Sequence, residues 1–336
     1  MSQNVRMGLI GLGSMGRHHA RVIRETEGLE LVAVADPNGD AWGVAKDLEV
    51  LPDVGALIDA GIDAAMVAVP TVYHEDVALA LAAAGVHTMV EKPIAHSADA
   101  GRRVAAAFEG AGLVGAVGYV ERCNPALLEL RGRIADGELG EVYQISTSRQ
   151  GPFPGRISDV GVVKDLATHD VDLTAWIAQS PYATVAAHVA HRSGREHEDM
   201  VSVTGRLANG IIVNHLVNWL SPRKERQTIV TGERGAFVAD TAAGDLTFYA
   251  NGTIPTEWER VAAFRGVTEG DVTRFAISKR EPLRVEQEHF RDALNGDGGG
   301  IVTMAEGVHT LTVVEAVLKS AATGQTVNLE HVEITG

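Results

Sequence analysis

The rhythm of apolar and polar positions changes partway along the chain. In the first part, apolar residues cluster in short, mostly apolar runs at 6–11, 30–36, 62–69, 86–90 and 113–120. Runs of this kind, without alternation, suit strands of a parallel sheet covered on both faces. Between them, 15–26, 77–84 and 98–108 read as helices, the last two Ala-rich crossovers. The alternation predicts a doubly wound parallel sheet, a Rossmann-type domain over residues 1–122.

From residue 123 the texture differs. A helix is predicted at 127–136, then longer strands at 142–149, 183–191, 200–207, 211–220, 227–231, 236–240 and 246–249. Asn209-Gly210 between two of these is a hairpin signal. Helical patterns return at 285–294 and 304–322. Residues 123–336 therefore read as a second α/β domain with a large open, mostly antiparallel sheet. Inside it, residues from Asp165 on follow a helical pattern, with Leu166, Leu173 and Ile177 as an apolar stripe. Asp165, His169 and Asp172 lie beside it at i, i+4 and i+7.

Composition narrows the partners. A length of 336 residues suits two domains, and 45% hydrophobic with 22% charged residues indicates a globular chain. A formal net charge of −15 argues against nucleic acid or an anionic membrane as partner, though not against a local basic pocket. Cys123 is the only cysteine, so no intrachain disulfide can form, which suits a reducing cytoplasm. No apolar run approaches the ~20 residues a spanning helix needs, and the first residues carry no signal-peptide pattern. The expectation is a soluble cytoplasmic protein that takes a small molecule.

The candidate chemistry lies in three places. Gly11-Leu12-Gly13-Ser14-Met15-Gly16 follows a strand and opens a helix. Gly11 permits the tight turn, Gly13 lets the backbone approach a pyrophosphate, Gly16 lets helix and strand pack closely, and the helix N-terminus offers free N–H groups. Asp36, twenty residues past Gly16, can accept hydrogen bonds from both hydroxyls of an adenosine ribose and would repel a 2′-phosphate. The expected cofactor is NAD rather than NADP. Arg17 reads as a solvated first-turn residue, with a phosphate contact as the alternative, and His18 and His19 read as surface or packing residues. Pro70, Thr71 and His74 follow the third predicted strand and would border the cofactor, with helix capping as the alternative for His74. Glu91-Lys92-Pro93 ends the next strand, where Glu91 and Lys92 would also border the cofactor and the Lys92 ammonium could favour the alkoxide form of a substrate hydroxyl. Third, Asp165 could fix the tautomer of His169, which then takes the hydroxyl proton. Taken singly, Lys92 also reads as a solvated strand end, and the Asp165/His169 pair as an exposed helix face. Together, the three signals ask that an amine and an imidazole meet on one side of a nicotinamide ring. No metal is called for.

Gly11-Leu12-Gly13-Ser14-Met15-Gly16, Glu91-Lys92-Pro93 and Asp165-x-x-x-His169-x-x-Asp172 together resemble the glucose–fructose oxidoreductase/inositol dehydrogenase (Gfo/Idh/MocA) family over nearly the whole chain. The resemblance implies an NAD-dependent sugar or polyol dehydrogenase, with Lys92, Asp165 and His169 as its catalytic groups. It also implies a homodimer or homotetramer built on the open sheet. Many members carry a glycine-rich run before the acid, where here only Gly161 remains. Gly151-Pro152-Phe153-Pro154, Ile157-Ser158-Asp159-Val160 and Glu121-Arg122-Cys123-Asn124-Pro125 are similar to members that oxidise the 3-hydroxyl of UDP-N-acetylglucosamine. On that reading Arg122, Asn124, Arg149, Arg156 and Asp172 join Lys92, Asp165 and His169 at the substrate, with Arg149 and Arg156 meeting a diphosphate. Oxidation of inositol or a simple sugar is one alternative. A regulator that senses NAD(H) or a sugar without turnover is another.

Overall fold

Six parallel strands form the first sheet: β1 (Val5–Ile10), β2 (Leu29–Ala35), β3 (Val50–Leu51), β4 (Ala64–Val67), β5 (His87–Glu91) and β6 (Gly115–Gly118). Their order, β3-β2-β1-β4-β5-β6, reverses between β1 and β4, the position at which doubly wound sheets open a ligand crevice at their carboxyl ends. The turn after β1 and the loops after β4 and β5 all leave that edge. Helices α1 (Ser14–Glu25), α2 (Val54–Asp59), α3 (His74–Ala83) and α4 (Ala98–Ala111) alternate with the strands. In α1 the spacing of Ala20 and Ile23 turns both into the core with Met7, Leu9, Val34, Met66 and Met89. The coordinates are a computed structural model, and they describe residues 4–155, 160–252 and 269–329.

The chain divides into two compact units. The first holds residues up to Cys123 and also Glu281–Glu315, while the second runs over Asn124–Arg280 and resumes at Ala316. The sequence suggests a single cut at 122/123, whereas this division falls after Cys123 and brings residues 281–315 back to the first unit. That return brings α7 (Pro282–Leu294) and the first part of α8 (Met304–Thr323) into the first unit, where Phe290 joins the core cluster. Amphipathic spacing marks a helix without saying which core receives it.

The returning α7 carries Glu286, buried, with Oε2 lacking a hydrogen-bond partner among the described residues. Burial, and then the charge of Glu91, push this carboxyl well above its usual range. The unfolded chain loses the proton near 4.5, so above that pH the folded form holds one proton more. Stability should then fall with rising pH, by up to about 1.4 kcal/mol per pH unit, until the folded acid itself ionises. Glu286→Gln is expected to unfold at higher temperature than the parent and to lack this slope, as thermal melts from mildly acid to mildly alkaline pH would record.

Among the described residues, the second unit is built on nine strands: β7 (Val142–Pro152), β8 (Tyr182–Ala190), β9 (Met200–Leu207), β10 (Ile212–Asn218), β11 (Leu220–Gly232), β12 (Gly235–Asp240), β13 (Asp245–Asn251), β14 (Glu269–Arg274) and β15 (Val327–Asn328). Their order is β14-β13-β12-β11-β7-β10-β9-β8-β15, with only β7 and β10 parallel. Asn209-Gly210 makes the β9–β10 hairpin, with Gly210 at φ +93°. Helices α5 (Pro125–Ala135) and α6 (Thr168–Ala178) pack on this sheet.

Polar groups form part of the layer between α6 and the sheet. Arg149 on β7 and Asp170 on α6 are both buried and 3.1 Å apart. His215 on β10 sits between the Thr147 and Tyr182 hydroxyls, 2.8 Å from each. Burial, and then the Arg149 charge, push His215 down to about 3, so its ring is neutral and the hydroxyls rotate to match its one N–H.

Candidate active site

The turn after β1 has the shape that its glycines suggest. Gly11 has φ +95°, and a Cβ there would lie 2.5 Å from the Ala68 carbonyl oxygen. A Cβ on Gly16 would lie 1.9 Å from the Gly11 oxygen, so only glycine lets α1 pack this close to the turn. Gly13 differs: nothing lies within 4 Å of the position its Cβ would take. It is also the N-cap of α1, where no side chain caps the helix and no acid stands in the first turn. Ser14 and Met15 form that first turn, half-buried. The free N–H groups, the dipole and the open space fit a dinucleotide pyrophosphate.

Asp36 follows β2 and is held by two backbone donors, Leu12 N to Oδ2 and Asn38 N to Oδ1, both at 2.8 Å. Each oxygen keeps acceptor capacity, so the oriented carboxylate suits a ribose diol. Arg17 is exposed, its guanidinium stacked 4.6 Å from the centroid of the Trp42 ring. Asp36→Ala is expected to raise the Kd for NAD about 10–100-fold, the worth of hydrogen bonds to a charged group, and to narrow the preference over NADP. Fluorescence titration with both dinucleotides measures this.

Lys92 is half-buried at the end of β5, and the Lys92–Pro93 bond is cis. Glu91 is buried beside it and accepts from the Lys92 backbone N–H at 3.1 Å. After β4, Pro70 is exposed and starts a 3₁₀ turn, Thr71–Tyr73, with Thr71 half-buried. His74 departs from expectation. It is buried, with Nδ1 2.8 Å from the Pro93 oxygen and Nε2 2.9 Å from the Val69 oxygen. Both ring nitrogens face protein carbonyls, so the ring braces the loops rather than offering a nitrogen to the cofactor. His19, read as a surface or packing residue, is fully buried and lies 2.7 Å from Glu91.

In the second unit, Asp165 lies in a π-helical segment, Val163–Ala167, that runs straight into α6 and its second residue, His169. The wider π turn changes the angular offset between positions 165 and 169 from that of the α-helix the spacing predicts. Asp165 is buried and His169 half-buried. Glu198 starts this segment: its Oε1 accepts from Val163 N at 3.1 Å and its carbonyl from Val162 N at 3.0 Å. A Cβ on Gly161 would lie 2.0 Å from that carboxyl, which explains why the one glycine before the acid is needed. Glu198 is 33 residues past Asp165, and no local signal marks it.

Several residues expected at the substrate have partners within the protein. Arg122 is buried and donates Nη1 to Glu306 at 2.6 Å. Asn124 caps α5 through Ala126 N and donates to the Thr241 carbonyl at 3.0 Å. Arg149, expected on a diphosphate, points inward to Asp170 and is 4% exposed. Asp172 is 1% exposed, close enough to Tyr182 for its charge to act on the phenol. An isolated sequence cannot reveal such pairings, because each partner is distant along the chain or on a neighbouring strand. Arg156 lies outside the described residues, as do Ile157, Ser158 and Asp159.

Comparison with known proteins assigns the family. The family profile described as oxidoreductase family, NAD-binding Rossmann fold, matches residues 5–119, and its C-terminal alpha/beta domain matches residues 131–329. Inositol 2-dehydrogenase 2 of Saccharopolyspora erythraea is 29% identical, covering 98% of this chain and 96% of that one. UDP-N-acetylglucosamine 3-dehydrogenase of Acidithiobacillus ferrooxidans is 29% identical over 87% of this chain and 89% of its own. A solved structure of that enzyme superposes with a TM-score of 0.82 at 25% identity, covering 96% of this chain and 99% of the other. Among the described residues, no helix is long and apolar enough to cross a membrane. With a dinucleotide turn in its first unit and both family domains matched along its length, the chain belongs to the Gfo/Idh/MocA oxidoreductases and binds NAD.

Proposed function

We propose that this oxidoreductase oxidises a secondary ring alcohol of a nucleotide sugar, the 3-hydroxyl of UDP-N-acetylglucosamine or a close relative. The bound NAD supplies the hydride acceptor. His169 takes the hydroxyl proton, Asp165 holds the His169 ring in the accepting tautomer, and the Lys92 ammonium stabilises the developing alkoxide. The observation that carries the reading is Lys92 at the carboxyl end of β5, in the same sheet as the dinucleotide turn, in a chain that matches a nucleotide-sugar dehydrogenase nearly end to end. Inositol oxidation is the second reading, favoured by the equal identity to the Saccharopolyspora enzyme.

A screen for NADH formation over UDP-sugars, dTDP-sugars and inositols separates the possibilities. The expected result is turnover of a UDP-sugar. Turnover of an inositol isomer alone would replace the substrate class. Tight NAD binding without NADH from any of these compounds would favour a sensor over an enzyme.

We further propose that copies of the chain associate through the outward face of the nine-stranded sheet. Ile212, Gln144, Thr231, Ala236, Tyr249 and Val272 lie in one row across six strands. The row is uncharged, and Ile212, Tyr249 and Val272 are exposed. In a chain of net charge −15, such a face is where a second copy can approach at least electrostatic cost. Light scattering on the purified protein should give a dimer or tetramer, with Ile212→Lys shifting it toward monomer. A monomeric parent would remove this part of the reading.

A further inference from the structure

Two buried devices grip the backbone on either side of Lys92. On the N-terminal side, Glu91 Oε2 accepts from the Lys92 N–H at 3.1 Å, while Oε1 lies 2.7 Å from His19 Nε2 on α1. His19 Nδ1 in turn faces the Gln287 amide nitrogen at 3.3 Å. With the Gln287 amide placed this way round, Nδ1 accepts from it and Nε2 donates to Glu91. On the C-terminal side, His74 lies 2.8 Å from the Pro93 oxygen and 2.9 Å from the Val69 oxygen; burial lowers its pKa, so the ring is neutral and its single N–H donates to one of these two carbonyls while the ring fills the space between the loops after β4 and β5. His19 and Gln287 are fully buried and His74 is 1% exposed, so water cannot substitute for these contacts.

We propose that His74 and the His19–Glu91 pair are positioning residues that aim the Lys92 side chain, the pair pinning the N–H of Lys92 and His74 bracing the loop at the Pro93 carbonyl. The proposal rests on the catalytic role assigned to Lys92 above. His19 and His74 have almost no exposed surface to offer a ligand, so they act through the lysine. With the backbone held at both ends, the ammonium has only its own side-chain torsions to sample. Loss of either grip frees the loop, and a misplacement of 1 Å at a reacting group can lower the rate about 10²-fold. Because His19 belongs to α1, the same pair ties the helix that opens at the dinucleotide turn to the lysine.

The test uses the full chain with His74→Phe, which removes both contacts, and His74→Gln, which keeps one donor. His19→Leu and His19→Gln repeat the comparison on the other side, so that a variant that fails to fold does not end the test. Two readouts are taken per folded molecule: kcat on the substrate that the parent turns over, and the acylation rate of Lys92 by a small amine-reactive reagent, mapped by mass spectrometry without NAD. The expected result is a fall in kcat of about 10²-fold in the Phe and Leu variants. NAD affinity should be nearly unchanged, Lys92 acylation altered, and both properties partly restored by Gln. A purely structural role would lower thermal stability but leave kcat and acylation per folded molecule at parent values, and that outcome overturns the proposal. If the parent turns over no sugar or polyol, the functional reading fails separately, and the acylation rates alone decide whether the grip exists.

Discussion

Lys92→Ala should lower kcat/KM by about 10³-fold while leaving NAD binding intact. A general acid–base group or a preorganised donor at a developing oxyanion typically contributes 10²–10⁴ in rate, and the ammonium is proposed for the second task. The elements that suit the dinucleotide, the uncapped start of α1 and the Asp36 carboxylate, belong to the turn after β1 and the end of β2. None of them uses the lysine side chain, so binding and turnover should separate. Lys92→Arg should not restore the rate, since a planar fork presents its charge along different directions from a compact ammonium. NAD titration and steady-state NADH formation on the same preparation read the two properties. Normal turnover in the alanine variant would take Lys92 out of the mechanism.

His169→Ala is expected to cost 10²–10³ in kcat, with part of the activity returned by added imidazole, because the variant lacks the proposed base but leaves space for one. Asp165→Asn should also depress kcat, since the amide removes the charge that stabilises the imidazolium and can present a donor where an acceptor is required. Asp165 is buried in the π segment ahead of α6, so its variant calls for a stability check alongside the kinetics. Single-turnover measurements with saturating NAD separate a lost base from slow product release. Activity in His169→Ala that matches the parent and ignores imidazole would assign the proton to another group.

The readable parts of the chain were those with local causes. Mostly apolar runs marked five of the six parallel strands, while β3, only Val50–Leu51, and α2, six residues long, are too short for any periodicity to register. The dinucleotide turn was legible because the constraint lies within six residues: Gly16 must clear Gly11, and Gly11 must clear Ala68 just after the neighbouring strand β4. Non-local pairing was not legible. Arg149 looks like a free cation until the fold brings Asp170 to it, and His19 and His74 look like helix residues until Glu91 and Pro93 reach them. The π segment begins at a backbone N–H that donates to Glu198, a contact the helical spacing of the following residues does not contain. The return of α7 to the first unit is a choice between two cores that hydrophobic spacing alone leaves open.

The central claim is that one substrate hydroxyl is served by both an amine and an imidazole, and a crystal structure with NAD and the sugar bound tests it most directly. The account expects Lys92 Nζ and a His169 ring nitrogen each at about 2.6–3.2 Å from the same hydroxyl oxygen, or one water away. A ligand whose reacting hydroxyl meets neither group, or meets them at different oxygens, would contradict it.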